Sequence, residues 1–503
     1  MTKIYRIIYN EDFVMKKIFG SKQIAALLLA LLILLPVFVG CAETETPEVT
    51  TEADNGAATT VGDSVPEQTT RDTLPELNYG GETVHVLYWK DANNNEFYVE
   101  KQDGTPINDV VYKRNANVEK RLGITIGWNG QNGAKGKLNS FVTYIRTNVD
   151  AGNDIEVVAA HSMVMGAIAA EGYMQDLNSV EHINLDSPWW PKDLVENSTI
   201  HDSTYFVSGD ISLNTLLGME GLFFNKDMTE SNLYSYVQNK TWTIDQMIIE
   251  TQNSYKDTTG DGKTEDDTFG YVTYSGMINA IVIGMGIRIT DKDDEGKIIF
   301  SETYASEKTQ SILEKINETL FKDNNWYYAS KWDKAAEIFS AGNALFCMAS
   351  VRYTTNELAD SAVTYGILPA PLYDKNQTDY YTLMANTYTM YGIAEGVENT
   401  EMHGAFIEAM ASEGYYTVTP AVFEVALKTR YSDDSQDAMM FDVLRESVVM
   451  EIGLVFSDQI DGIPSKALFT MVDNKSADWI SYIRSKQTKI NAALDKLNDS
   501  FDK

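Results

Sequence analysis

The residues most densely grouped for ligand chemistry form an acidic stretch, DTTGDGKTEDDT, at positions 257–268. Compared with the EF-hand calcium loop, this stretch offers carboxylates at loop positions 1, 5 and 9 and a backbone carbonyl at position 7. The residues concerned are Asp257, Asp261, Glu265 and, through its carbonyl, Lys263. Thr259 and Thr268 replace two of the usual side-chain ligands. Two interpretations stay open, a structural calcium ion or a solvated turn, and the sequence requires no other cofactor.

The common local motifs of catalysis are absent from the sequence. There is no G-x-S-x-G, H-E-x-x-H, Walker lysine loop or G-x-G-x-x-G, so hydrolase, zinc peptidase, NTPase and dinucleotide-binding functions lack local support. A glycosidase pair of carboxylates stays open, because spatial separation rather than sequence identifies it. Cys347 lies in an apolar run, which favours a buried core residue over a nucleophile.

The charge of the chain bears on its partners. The 503 residues include 40 basic and 73 acidic side chains, for a net charge of -33. No basic stripe is available to neutralise a phosphate backbone, so nucleic acid is not an expected partner. The length allows a large core, most simply in two lobes.

The N-terminal segment has the order of a bacterial export signal. Lysines precede an apolar run, 24–39, which Gly40 and Cys41 close, and Met15 is a second candidate start. The run is short for a membrane span. Its end, VFVGC, resembles the lipobox of bacterial lipoproteins, with Phe38 where leucine is usual. The resemblance implies a signal peptide over 1–40 and a lipid, palmitate among its chains, on Cys41; an uncleaved anchor helix is the alternative.

An acidic, threonine-rich segment follows the cysteine. Residues 41–77 contain almost no apolar side chains that could form a core, so we expect a disordered tether. Such a tether would let the folded part stand off from the extracellular face of the membrane.

Strands and helices alternate in the rest of the chain. ETVHVLYW and DIEVVAAHS are typical of strands, and INDVVYKRNANVEKRL is typical of an amphipathic helix. In TWTIDQM, Thr243 and Gln246 have the spacing of a capping box that starts a helix. The C-terminal segment, WISYIRSKQTKINAALDKLNDSF, predicts an amphipathic helix on the body. The pattern indicates an α/β protein.

Several stretches, in order, resemble the extracellular solute-binding proteins of bacterial carbohydrate importers, which are relatives of the maltose-binding protein. They include GYMQDLNSVEHINLDSPWW, GLFFNKDM, TWTIDQM, AGNALFCMASVRY and YGILPAPLYDKNQTDYY. The resemblance covers about residues 78–460 and no single segment is specific. It implies a two-lobed periplasmic-binding-protein-like fold of type II, with a hinge and C-terminal helices.

The resemblance also implies boundaries and partners. Lobe one would comprise 78–212 and 382–445, and lobe two 213–381 and 446–503. The protein would be a monomer without enzymatic activity that captures a solute, a sugar or oligosaccharide, and delivers it to ABC permease subunits. The alternatives are a surface-anchored glycan-acting enzyme and an adhesion or display protein without a transport partner.

A sugar site needs aromatic platforms and hydrogen-bonding side chains at strand ends. The candidate ligand residues are Trp89, His161, Ser162, Asp210, Trp326, Arg352 and Tyr353. Each has a structural alternative: a core or boundary role for Trp89, a hydrogen-bonded structural histidine for His161, and a turn cap for Asp210. Trp326 is expected on a loop, where its aromatic neighbours would make a stacking surface.

Overall fold

A computed structural model describes residues 72–502 except 93–94, 135, 153 and 429–434. These residues lie within one compact unit, Thr69–Lys503. None of the helices in this described part has both the length and the apolar character to cross a bilayer. The predicted signal peptide and most of the tether, including Cys41, lie outside the described residues.

Lobe one is built on a four-stranded sheet. Its strands are β1 (Glu82–Trp89), β2 (Ile124–Gln131), β3 (Val157–His161) and β14 (Thr389–Ile393), in the order β14-β3-β1-β2. β1 runs parallel to β2 and β3, and β14 runs antiparallel to β3. β3 and β14 are buried along their whole length, as expected for strands covered on both faces.

Lobe two is built on a five-stranded sheet. Its strands are β6 (Glu220–Asn225), β7 (Phe269–Thr273), β10 (Trp326–Tyr328), β11 (Ala344–Ser350) and β12 (Tyr365–Leu368), in the order β10-β7-β11-β6-β12. β6 runs antiparallel to both of its neighbours, β11 and β12. The first strand of this sheet along the chain, β6, lies next to the edge strand, β12, which is the last.

In the described part of the chain, three short pairs of strands lie outside the two main sheets. They are β4 (Thr199–Ile200) with β5 (Ser203–Thr204), β8 (Thr290–Lys292) with β9 (Ile298–Phe300), and β13 (Thr382–Leu383) with β15 (Val448–Val449).

The helices are α1 (Pro106–Leu122), α2 (Leu138–Asp150), α3 (Ser162–Ala170), α4 (Lys192–Ser198), α5 (Leu213–Leu217), α6 (Leu233–Gln238), α7 (Ile244–Glu250), α8 (Ile278–Gly284), α9 (Glu307–Phe321), α10 (Trp332–Ser340), α11 (Glu401–Glu413), α12 (Thr419–Lys428), α13 (Ser435–Glu446), α14 (Ile452–Val455), α15 (Ile463–Asp473) and α16 (Trp479–Asp499). The predicted start of α7 is confirmed, and the Thr243 hydroxyl accepts from the Gln246 amide at 3.2 Å. The reciprocal half of the capping box does not form, because the Gln246 side chain donates to Glu250 at 2.8 Å.

The two lobes are joined by strands that pair with one another. Val207 bridges to Tyr391 of β14, and Met219, just before β6, bridges to Met384. The first crossing thus lies between 207 and 220, and the return lies between β12 and β14. The lobe boundaries given above stay predictions. They assign α13 to lobe one, but this helix packs on β12 of lobe two, and its Asp437 pairs at 2.8 Å with Lys226, which directly follows β6.

The C-terminal helix packs on lobe two, as the sequence predicts. Trp479, its first residue, is fully buried and donates from Nε1 to the Tyr304 carbonyl at 2.5 Å. The two rings meet edge to face, 4.9 Å apart. Tyr304 is fully buried as well and donates to the Pro464 carbonyl at 2.9 Å. This contact fastens α15 and α16 to the body.

Trp479→Ala is expected to lower the free energy of unfolding by about 3–5 kcal/mol, because it removes a buried aromatic ring and leaves a cavity. Guanidinium unfolding of the full-length protein measures the change. The matched control is Trp332→Ala, at an indole that is 49% exposed, for which a change within about 0.5 kcal/mol is expected. Equal losses for the two variants would contradict the assignment of Trp479 to the core.

Candidate functional site

A cleft lies between the lobes and the segments that join them. It consists of two adjoining cavities of about 540 and about 790 Å³, which share Arg352 and Asn356 as lining residues. Lobe one lines the smaller cavity with Lys90, Asn95 and Asn108, among others. Residues 383–387, on the return crossing, line the larger one together with lobe two. The volume is sufficient for a small oligosaccharide.

One aromatic side chain in the cleft is open to solvent. Trp332, the first residue of α10, lines the larger cavity and is 49% exposed. Tyr353 lies in the same cavity wall, mostly buried, and its hydroxyl donates to the Trp332 carbonyl at 3.3 Å. This bond fixes the start of α10 to the segment that follows β11. The indole therefore has a fixed base and a free face, which suits stacking on a sugar ring.

Arg352 lies where the two cavities meet. Its Nη2 donates to the Asn214 side-chain oxygen at 3.2 Å, and the Asn214 amide in turn donates to the buried carboxylate of Glu96. The Nε of Arg352 is buried and has no hydrogen-bond partner among the described residues. One edge of the guanidinium is thus held in place while another donor remains unused.

Two carboxylates line the larger cavity. Glu220, the first residue of β6, is buried, and burial raises its pKa to about 8 although the charge of Arg352 opposes the shift. Burial also raises the pKa of Glu357, again opposed by Arg352. Oε2 of each residue is buried without a hydrogen-bond partner in the described part of the chain. Each carboxylate therefore keeps an oxygen with unused hydrogen-bonding capacity.

Trp89 lies beneath the cleft instead of on its surface. It is only 3% exposed, and its Nε1 donates to the Thr389 hydroxyl at 2.9 Å. Thr389 donates in turn to Glu96 at 3.1 Å. The Trp89 ring also meets the His161 ring edge to face at 5.3 Å. In this structure Trp89 has the boundary-core role that the sequence left open.

His161 and Ser162 are buried at the end of β3. The Nδ1 of His161 accepts from the Met163 amide at 3.2 Å, and burial lowers the pKa of His161 to about 4, so the ring is neutral at pH 7. The Ser162 hydroxyl donates to the Asn386 carbonyl at 2.5 Å. Asn386 itself lines the cleft. Ser162 therefore supports the cleft wall from behind.

The remaining two candidates are held by structural contacts. The carboxylate of Asp210 is buried and pairs with Arg445 at 2.9 Å and with the Thr419 hydroxyl. Trp326 is fully buried and donates from Nε1 to the Thr251 hydroxyl at 2.9 Å. The loop expected around Trp326 is instead strand β10, which pairs with β7, and the ring packs inside lobe two.

The acidic stretch forms a turn on lobe two. The Asp257 carboxylate accepts from the backbone amides of Gly260, at 2.5 Å, and Gly262, at 3.1 Å. The Lys263 ammonium donates to the carbonyls of Leu320 and Asp323, both at 3.2 Å, and Glu265 lies 3.6 Å from Lys334. No group of three or more acidic, histidine or cysteine side chains in the described residues is arranged to hold a metal. The calcium site stays a prediction.

Comparison by sequence finds no relative: no family model matches the chain, and no curated protein matches it. Comparison of structures finds many solved chains that are similar to this one. A cyclo/maltodextrin-binding protein complexed with maltotetraose has 10% identity over 84% of this chain and 98% of its own, with a TM-score of 0.54. The maltose-binding periplasmic protein of Listeria monocytogenes, in complex with maltose, has 12% identity over 83% and 97%, with a TM-score of 0.51.

A third neighbour is an ABC substrate-binding protein from Listeria monocytogenes in complex with cycloalternan. It has 11% identity over 84% of this chain and 99% of its own, with a TM-score of 0.50. The chain has the fold of the maltodextrin-binding proteins. At such low identity the likeness extends to the fold, and the predicted two-lobed, periplasmic-binding-protein-like architecture is confirmed.

Within this maltodextrin-binding-protein fold, Arg352 and Tyr353 are the predicted ligand residues that line the cleft. Trp332, Glu220 and Glu357 are cleft residues that the sequence did not indicate. Trp332 follows Trp326 in a single aromatic run, and the spacing of Trp332, Ala335, Ala336 and Phe339 is typical of a buried helical face. Trp332 is exposed only because it lies at the solvent-exposed end of this helical face.

The raised pKa of Glu220 predicts a pH dependence of stability. Between its ordinary value of 4.5 and about 8, the folded chain keeps the proton that the unfolded chain has lost. The free energy of unfolding therefore falls as the pH rises through this window, by at most about 1.4 kcal/mol per pH unit. Glu220→Gln, which stays neutral, is expected to flatten the decline.

Urea unfolding from about pH 5 to about pH 8 measures the slope. Glu302→Gln, at an exposed glutamate outside the cleft, is the control and should keep the slope of the wild type. Parallel profiles for the wild type and Glu220→Gln would contradict the assignment.

Proposed function

We propose that the protein binds a carbohydrate in the cleft between its lobes and delivers it to the permease of an ABC importer, without chemical change. The observation that carries the proposal is the half-exposed Trp332, set among hydrogen-bonding groups in the cleft. C–H groups on one side of a sugar ring present an apolar face that stacks on an indole. The surrounding polar side chains bind hydroxyls.

The structural neighbours support a saccharide as the ligand class. Those with TM-scores of 0.50 to 0.54 were solved with maltotetraose, maltose and cycloalternan, and they are binding proteins and not enzymes. Closure of two lobes about a hinge buries the ligand and creates a bound state that a permease recognises. The paired strands β13 and β15, beside the cleft, are the place for such a hinge.

The second part of the proposal concerns location. A lipid on Cys41 would hold the protein at the outer face of the membrane, and the segment up to residue 77 would act as its tether. The protein would then capture solutes beside the permease as a monomer.

Trp332→Ala is expected to weaken saccharide binding by about 10-fold or more, because it removes the stacking surface, while the melting temperature of the free protein stays unchanged. The full-length protein, purified in detergent, is first screened against neutral and acidic mono- and oligosaccharides for ligands that raise its melting temperature. Calorimetric titration with each ligand found then compares the variants.

The matched control is Ile249→Ala, at an exposed apolar residue of α7 outside the cleft, which should bind as the wild type does. Wild-type affinity in Trp332→Ala would overturn the site assignment. Turnover of an oligosaccharide by the wild type would favour the glycan-acting enzyme instead.

Cys41→Ala is expected to lose lipid attachment and to leave the membrane fraction, since it removes the acylated sulfur. Labelling with a palmitate analogue in a bacterial host measures the attachment. Cys347→Ala is the control: this second cysteine is buried in β11, and burial raises the pKa of its thiol, so acylation should persist. Unchanged acylation of Cys41→Ala would refute the anchor.

A further inference from the structure

More cations than carboxylates line the cleft, whereas the whole chain has more acidic than basic side chains. The sequence has 73 acidic and 40 basic side chains. The side chains that line the two cavities, in contrast, include three cations, Lys90, Arg352 and Lys466, and two carboxylates, Glu220 and Glu357. A cationic excess in so acidic a protein is unexpected from composition, and it lies at the ligand site.

These three cations are not neutralised by ion pairs. No carboxylate oxygen of the described residues lies within ion-pair distance of Lys90, Arg352 or Lys466. Arg445 and Arg288, in contrast, do pair with carboxylates, Arg445 with Asp210 at 2.9 Å and Arg288 with Glu451 at 2.8 Å. The cleft therefore keeps positive charge that a ligand could neutralise.

Arg352 offers the geometry of an oxyanion receptor. Its Nη2 is anchored on Asn214 at 3.2 Å, and Asn214 is itself bonded to Glu96, so the guanidinium plane is oriented before any ligand arrives. Its Nε is buried and has no partner within the described chain. A carboxylate or sulfate accepts two parallel N–H bonds from such a fork, which a single hydroxyl does not.

The two carboxylates of the cleft do not cancel this charge. Burial raises the pKa of Glu220 to about 8, so its neutral form prevails at pH 7 and its O–H is a hydrogen-bond donor. Among the described residues, Glu357 is the only other acidic residue that lines the cavities, and burial raises its pKa as well. Neither forms an ion pair with Arg352. At neutral pH the lining thus has more positive than negative charge.

We propose that the cleft selects a saccharide that carries an anionic group, the carboxylate of a uronic acid or a sulfate ester, and that Arg352 binds this group with Lys466 and Lys90 contributing their charge. The inference rests on the proposed function and specifies its substrate class. Trp332 stacks on a sugar ring of the ligand, while the cations bind the anionic group of the ligand.

Matched pairs of ligands test the selection. Uronate oligosaccharides are compared with their methyl esters, and sulfated oligosaccharides with their desulfated forms, by calorimetric titration of the full-length protein. We expect the anionic member of at least one pair to bind about 10- to 100-fold more tightly, as hydrogen bonds between charged groups allow. The pair that shows the difference distinguishes carboxylate from sulfate.

Variants then assign the effect to residues. Arg352→Gln should abolish the preference for the anion, and Arg352→Lys should restore part of it because charge returns without the fork. Lys466→Gln, at an exposed side chain, should reduce the preference without affecting folding. Lys322→Gln removes the same charge from the surface of lobe two outside the cleft and should leave the preference unchanged.

The outcomes separate the two proposals. The selection would be overturned if neutral saccharides bound as tightly as their anionic partners and Arg352→Gln did not change the ratio of the two affinities. Carbohydrate binding itself would then remain intact. The absence of binding by any saccharide, neutral or anionic, would overturn the proposed function itself. Anionic affinity that declines between roughly 0.05 and 0.5 M salt, while neutral affinity does not, would support the selection.

Discussion

The buried carboxylate of Glu96 is the constraint on which the meeting of the two lobes depends. A fully buried carboxylate is costly unless hydrogen bonds and opposite charge surround it. Burial raises its pKa, and its partners, Ser212, Thr389, Asn214 and the charge of Arg114, oppose that shift. Thr389 belongs to lobe one and Asn214 to the first crossing. Oε2 of this carboxylate thus ties lobe one to the first crossing, while Oε1 is buried without a hydrogen-bond partner among the described residues.

That constraint reaches the cleft through Arg352. Asn214 holds the guanidinium on one side, while Thr389 holds the Trp89 indole on the other. The polar chain from Trp89 to Arg352 therefore runs under the floor of the cleft from lobe one to lobe two. Any rotation of the lobes that separates these groups leaves buried polar atoms unpaired, so the network resists that motion. The candidate site and the junction of the lobes share the same groups.

The aromatic residues show how one residue type serves two purposes. Trp479 and Trp326 are fully buried, and each donates its indole N–H to a nearby oxygen. Trp332 lies half exposed at the end of its helix. Burial of the first two stabilises lobe two, and exposure of the third leaves an apolar face for a ligand.

The sequence by itself determined the α/β class, the capped start of α7 and the amphipathic C-terminal helix, because periodicity, capping and turn signals are local. The two-lobed architecture was implied by the resemblance of ordered stretches to solute-binding proteins. It also placed Arg352 and Tyr353 at the end of a buried strand. It did not distinguish Trp332 from Trp326, nor predict that Glu220 and Glu357 share a cavity. Those facts depend on which helix ends and strand ends face each other across the cleft. Only the tertiary structure brings such residues together, because the chain crosses between the lobes and returns.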